Sequence, residues 1–224
     1  MKKLYLLIFF LFSISSLEAF TKPSFEGEVV YSCKASGSNT EGVKLFEGFV
    51  SPKVTLNWRG SYFRLQEEGG LNQADIIADF SEKKYFLLKG SKLVKAGCNN
   101  LDESPSEVKA ILPYHFKTEL KPLQSTDMVS GIKCKNYEIL KSAFLKEGAT
   151  GKLCISEDIQ LPLSRYDFHA ESTRTIVPLP LNFILDKGSV MKSEIIEDNV
   201  KVVCEITSIN RKPKDISFFQ PPKK

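Results

Sequence analysis

Val190-Met191-Lys192-Ser193-Glu194-Ile195-Ile196-Glu197 and Val200-Lys201-Val202-Val203-Cys204-Glu205-Ile206-Thr207-Ser208-Ile209 are separated only by Asp198-Asn199. Their charged residues alternate with Val and Ile, the period of a strand in a sheet with one wet face. A two-residue connection between such runs predicts an antiparallel hairpin.

The same rhythm extends back through the chain. Period-two or short apolar runs fall at Phe25 to Cys33, Val43 to Val50, Lys53 to Trp58, Tyr62 to Gln66, Ala74 to Phe80, Lys84 to Leu88 and Lys92 to Lys95. After residue 100 they recur at Thr118 to Lys121, Gly131 to Leu140, Gly151 to Ser156 and Leu181 to Asp186. Gly-rich and polar punctuation separates them, as at Ser36 to Gly42, Arg59-Gly60, Glu67 to Gly70 and Lys89-Gly90, and predicts tight turns between antiparallel neighbours. The fold class is therefore mainly β, a β-rich α+β protein. Ser104-Pro105-Ser106-Glu107 breaks the pattern with a hydroxyl, a proline and a glutamate where a helix N-terminus wants them. Val108, Ile111 and Leu112 follow at helical spacing and Pro113 ends the run, which predicts a short helix that plugs or covers one end of the sheet. A second short helix fits Leu163 to Ala170.

The N-terminus has the three parts of a secretory signal: Lys2-Lys3, the apolar run Leu4 to Phe12, and the small and polar stretch Ser13 to Ala19. Its apolar run is shorter than the roughly 20 residues a membrane span needs. Cleavage after Ala19 leaves a single domain over 20–224, exported, with the periplasm the leading compartment and the extracellular space the other. No cysteine follows the apolar run where lipid would be attached, and no Asn-x-Ser/Thr acceptor occurs. Contact with a membrane is then peripheral at most. The whole chain of 224 residues carries a formal charge of only +4, and removing residues 1–19 brings it still closer to neutral. Lys and Glu alternate along it without the dense basic face that nucleic acid requires.

Five cysteines, Cys33, Cys98, Cys134, Cys154 and Cys204, enter a compartment where disulfides persist. Cys134 and Cys154 lie on two neighbouring runs of one hairpin and are the best placed pair. Cys33 and Cys204 both fall on the apolar parity of their strands and are either a second bridge or two buried thiols. Cys98, beside Gly97 and Asn99-Asn100, reads as a turn residue and the free thiol.

Catalytic signatures are missing. There is no phosphate loop, no Gly-x-Ser-x-Gly elbow, no His-Glu-x-x-His and no close Cys/His set for a metal, and the only histidines are His115 and His169. Asp167 with His169 and either Cys98 or Ser164 is the best residual constellation, but nothing in the sequence brings a nucleophile within reach. Asp75 with Asp79, and Glu194 with Glu197, read as charges on wet strand faces. No cofactor and no reaction are expected. The chain is instead rich in Phe, with 16 against 7 Tyr and one Trp, and a curved sheet with large inward side chains can enclose an apolar cavity. Strand parity nominates Phe25, Val29, Tyr31, Val200, Val202 and Ile206 as its lining.

Four segments carry a resemblance to a known family: Phe25-Glu26-Gly27-Glu28-Val29-Val30-Tyr31; Asp75 to Phe80 with Lys84 to Leu87; Gly131 to Tyr137 answered by Lys152 to Ile155; and Phe218-Phe219-Gln220-Pro221-Pro222. They resemble a family of exported bacterial proteins similar to the periplasmic lipoprotein carriers of the LolA and LppX type. The resemblance implies an unclosed antiparallel β-barrel wrapped over a short helix, with an apolar concave face that in the carriers accepts acyl chains. It also favours the Cys134 to Cys154 bridge. The outer-membrane carrier's lid-locking arginine has no counterpart among Arg59, Arg64 and Arg165. The expected function is binding of a lipid, acyl chain or other apolar ligand in a half-barrel. The alternative is an envelope module that docks a protein partner and fills its core with its own side chains.

Overall fold

The computed structural model describes residues 25–69, 75–79, 81–82, 84–89, 92–98, 118–142, 145, 147–161 and 188–222. Eleven strands form one antiparallel sheet: β1 Gly27–Gly37, β2 Lys53–Arg59, β3 Tyr62–Glu68, β4 Asp75–Asp79, β5 Lys84–Lys89, β6 Lys92–Cys98, β7 Thr118–Val129, β8 Ile132–Ser142, β9 Thr150–Ser156, β10 Ser189–Glu197 and β11 Val200–Asn210. Their order is β6-β5-β4-β3-β2-β1-β11-β10-β9-β8-β7. Two meanders, β1 to β6 and β7 to β11, thus meet where the first strand pairs with the last. The sheet does not close into a barrel; β6 and β7 are its edges. It does curl, because the β7–β8 turn reaches β11, where Ser130 Oγ donates to the Ile206 carbonyl at 2.7 Å.

The turns follow from their residues. Asp198 and Asn199 have φ of 50° and 61°, and Ser130 and Gly131 have 49° and 77°, the paired left-handed conformation whose twist matches that of the strands it joins. The predicted β10–β11 hairpin forms with Glu197 opposite Val200.

Three expectations are corrected. Val43 to Val50 is not a strand: α1, Thr40–Phe49, occupies this stretch. The Asn39 side chain accepts from the Gly42 N–H at 2.9 Å and Glu41 sits in the first turn, the cap and the charge a helix N-terminus favours. Val43 and Phe46 then share one face, which packs on β1 and β11. Cys98 is the last residue of β6 and pairs with Lys84, rather than sitting in a turn. The run read as Thr118 to Lys121 continues to Val129. The helix read from Val108, Ile111 and Leu112, the one over Leu163 to Ala170, the strand over Leu181 to Asp186 and the signal segment 1–19 lie outside the described residues.

β2 is buried on both sides from Val54 to Trp58, which alternation alone does not foresee. The reason is a C-terminal strap. Arg59 Nη1 donates to the Lys214 carbonyl and Arg64 Nη1 to the Phe218 carbonyl, each at 2.8 Å. Arg64 also grips Asp75 through two hydrogen bonds of 2.8 and 2.7 Å and lies 4.5 Å from the Phe218 ring centroid. Phe219, on the 3-10 turn Ile216–Phe219, packs with Ile77 and Leu88. Asn57, opposite Glu28 and Arg64 in the ladder, is fully buried beside this strap with neither amide atom hydrogen-bonded. A buried unpaired polar group costs about 1–3 kcal/mol. Asn57→Leu is therefore expected to raise stability by about that amount in urea unfolding; a comparable fall would show that the amide is partnered.

Candidate functional site

The largest apolar cluster lines one face of the sheet. β1 contributes Val29 and Tyr31, β2 Val54, Leu56 and Trp58, β3 Phe63 and Leu65, and β4 Ile76 and Ala78; Phe25, Met191 and Ile206 extend it across the β1–β11 seam, and residues of β7 to β9 and of the segment after β9 join it. Register explains the gathering. Val29 faces Leu56 and Leu56 faces Leu65, so one parity runs unbroken over neighbouring strands. Trp58 sits at its centre, with Phe25 edge-on and Phe63 tilted, both with ring centroids 5.6 Å away. The Tyr31 hydroxyl donates to the Val190 carbonyl at 3.2 Å, and burial pushes its pKa far above the ordinary value, so it stays neutral.

The opposite face is charged. Lys53 pairs with Glu68 at 2.7 Å, Lys201 with Glu194 at 2.8 Å and Lys214 with Glu28 at 3.1 Å. Such partly exposed pairs add little stability each, but they keep this side of β1, β10 and β11 polar, while the C-terminal strap covers the same side of β2 to β5.

The six residues read as cavity lining divide between two clusters. Phe25, Val29, Tyr31 and Ile206 join the inner face. Val200 and Val202 pack instead with Cys33, Cys204 and Val50 beneath α1, against Val43 and Phe46. Cys33 and Cys204 form a disulfide between directly opposed residues of β1 and β11, and Cys134 with Cys154 form the second. The strand alternation that nominated Val29 and Tyr31 also marks Val54, Leu56, Phe63, Leu65 and Ile76, which the sequence reading did not single out.

Of the residues weighed for catalysis, the described carboxylates Asp75, Asp79 and Glu194 are engaged by other side chains. Asp167, His169, Ser164 and His115, like Val108, Ile111 and Leu112 of the helix expected to cover the sheet, fall outside the described segments. Asp75 is held by Arg64, and Glu194 by Lys201. Asp79 accepts from Ser61, Ser81 and Glu82. Burial raises its pKa, but hydrogen bonds from Ser81, then Glu82 and Ser61, outweigh it and hold the carboxyl below its usual range. Among the described residues, no group of three or more His, Cys, Asp or Glu is placed to hold a metal, and no helix is long and apolar enough to cross a membrane.

No protein-family model and no curated protein matches the chain. Solved structures do. The lipoprotein LppX of Mycobacterium tuberculosis is 10% identical with a TM-score of 0.36, over 85% of this chain and 90% of its own. MucB, in the MucA/MucB complex of Pseudomonas aeruginosa, is 10% identical with a TM-score of 0.40, over 86% of this chain and 55% of that one. PNGF-II is 13% identical with a TM-score of 0.39, over 86% of this chain, which spans only 29% of the PNGF-II chain. All three scores fall below 0.5, so what the sheet holds is read from its own side chains.

Proposed function

We propose that this chain is an exported periplasmic binding protein, a single domain after loss of residues 1–19, which holds an acyl chain or other apolar ligand against the inner face of its half-barrel and catalyses no reaction. The observation that carries this reading is the continuous apolar face from β4 across β1 to β11, backed by charged residues on β1, β10 and β11. An apolar sheet face is stable only when another layer covers it. Among the described residues, Phe25, Leu87, Val129, Ile132, Cys134, Cys154, Ile159 and Leu161 join the cluster from beyond β1–β4 and β10–β11. A ligand's apolar chain, with the amphipathic stretch carrying Val108, Ile111 and Leu112 as its lid, supplies the remaining layer. Two disulfides suit an oxidising compartment, in keeping with the signal-like N-terminus.

The chain's single tryptophan makes the test direct, because Trp58 belongs to the inner cluster. Dibromostearate, whose bromines quench indole on contact, is expected to quench Trp58 emission saturably, while stearate competes it off. Unchanged emission over the whole titration contradicts the proposal.

The near-complete burial of Val29, Tyr31, Val54 and Leu56, each at 0% exposure, favours a second reading, in which the core is filled by the protein's own side chains and an outer surface docks an envelope protein. Met128 and Leu140, 66% and 59% exposed on the edge hairpin β7–β8, suit such a surface.

A further inference from the structure

A separate groove opens where β7 leaves β8. Pairing runs from Thr118 opposite Ser142 to Pro122 opposite Tyr137, breaks, and resumes at Thr126 opposite Lys135. Three residues, Leu123, Gln124 and Ser125, thus stand against Asn136 alone. Pro122 has no N–H to give the ladder, which is why an edge strand loosens here. Asn136 Nδ2 donates to Ser125 Oγ at 3.1 Å across the gap and fixes its width. The groove encloses about 200 Å³, below the roughly 300–1,000 Å³ of drug-sized sites, so its occupant is small. Cys154, tied to Cys134 by the disulfide and 2% exposed, is part of its wall, as is Leu123.

Four charged residues line it, two of each sign. Lys192 and Glu194 are engaged with β11, Lys192 with Glu205 at 3.8 Å and Glu194 with Lys201 at 2.8 Å. Lys152 lies opposite both Glu138 and Glu194 in the ladder, yet Glu138 pairs with Lys121 and Glu194 with Lys201. Among the described residues, Lys152 and Asp127 form no ion pair within 4.0 Å, although both face the groove. A largely polar groove with Leu123 as its accessible apolar side chain, flanked by an uncommitted ammonium and an uncommitted carboxylate, is complementary to a molecule carrying both charges and a short apolar group.

We propose that this groove binds a small zwitterion of the α-amino-acid type, its ammonium on Asp127, its carboxylate on Lys152, and its side chain against Leu123. Exposed charge pairs are individually weak, so a dissociation constant of about 1 mM is expected. Cys154 is the one lining residue the groove shares with the inner cluster, and leucine binding here is measured separately from lipid binding.

The test is an amide chemical-shift titration of the labelled protein with L-leucine, and with isovalerate and isoamylamine as its two singly charged halves. Leucine is expected to shift the amides of 123–127, 135–137 and 152–154 saturably, with either half weaker by about tenfold or more, which is about 1.4 kcal/mol. Asp127→Asn and Lys152→Gln, both at exposed positions, should each remove saturation while leaving the remaining spectrum in place. Absence of saturation at tens of millimolar leucine, equal binding of either half, or indifference to both substitutions overturns the proposal.

Discussion

Replacing Cys33 and Cys204 together by alanine is expected to destabilise the protein by about 5 kcal/mol, against about 3 kcal/mol for removing Cys134 and Cys154. The difference follows from topology. Cys33 and Cys204 are 171 residues apart, Cys134 and Cys154 only 20, and the chain entropy removed by a cross-link grows with the logarithm of the loop it closes. The longer link also sits where it matters most, on the β1–β11 seam that joins the two meanders. Each half is built from neighbouring hairpins, but the seam is the least local pairing in the sheet, and its ends must find each other across the whole chain. Urea unfolding of the two double variants without reductant gives both values. Equal losses, or the reverse order, would show that the seam is held by its packing under α1 rather than by the covalent link.

Trp58→Ala is expected to cost about 3–5 kcal/mol, the range for deleting a large buried aromatic. Trp58 is 2% exposed and its ring contacts both Phe25 and Phe63, so truncation removes transfer free energy and leaves a void that two aromatic neighbours cannot close. Trp58→Phe should lose much less, since it keeps a ring in the cluster. Leu45→Ala is the control: Leu45 is 63% exposed on α1, and a surface truncation stays within about 0.5 kcal/mol. A small effect at Trp58, with Leu45 unchanged, would show that the neighbouring side chains collapse into the space the ring leaves.

The strands were legible because each has one wet face or a short apolar run, and because residues such as Asp198-Asn199 leave the chain few ways to turn. Helix α1 was not, since Val43, Leu45 and the residues after them satisfy a two-residue period as well as a helical one; Asn39 followed by Glu41 was the signal that decides it. Val43, Phe46 and Val50 gain their burial from β1 and β11, which are distant in sequence. The pairing of first strand with last is non-local, and only the shared apolar parity of Cys33 and Cys204 hinted at it. Double-sided burial of β2 depends on the strap, whose Phe218 and Phe219 reach back more than 120 residues to β4 and β5. The inner face was half legible: parity found Phe25, Val29, Tyr31 and Ile206, but it could not say that Val200 and Val202 would be roofed by a helix at the other end of the same strands. The groove at β7 could not be read either, because Pro122 marks a weak ladder without saying how many residues will leave it.

Native mass spectrometry of the protein expressed from its full sequence, purified without reductant and compared with its denatured mass, tests the central claim most directly. A lipid-sized adduct that is lost on denaturation is the result expected of a half-barrel whose apolar face is completed by its ligand. A bare polypeptide at the mass of the doubly bridged chain would contradict it and leave the filled, protein-docking module as the reading of this sheet.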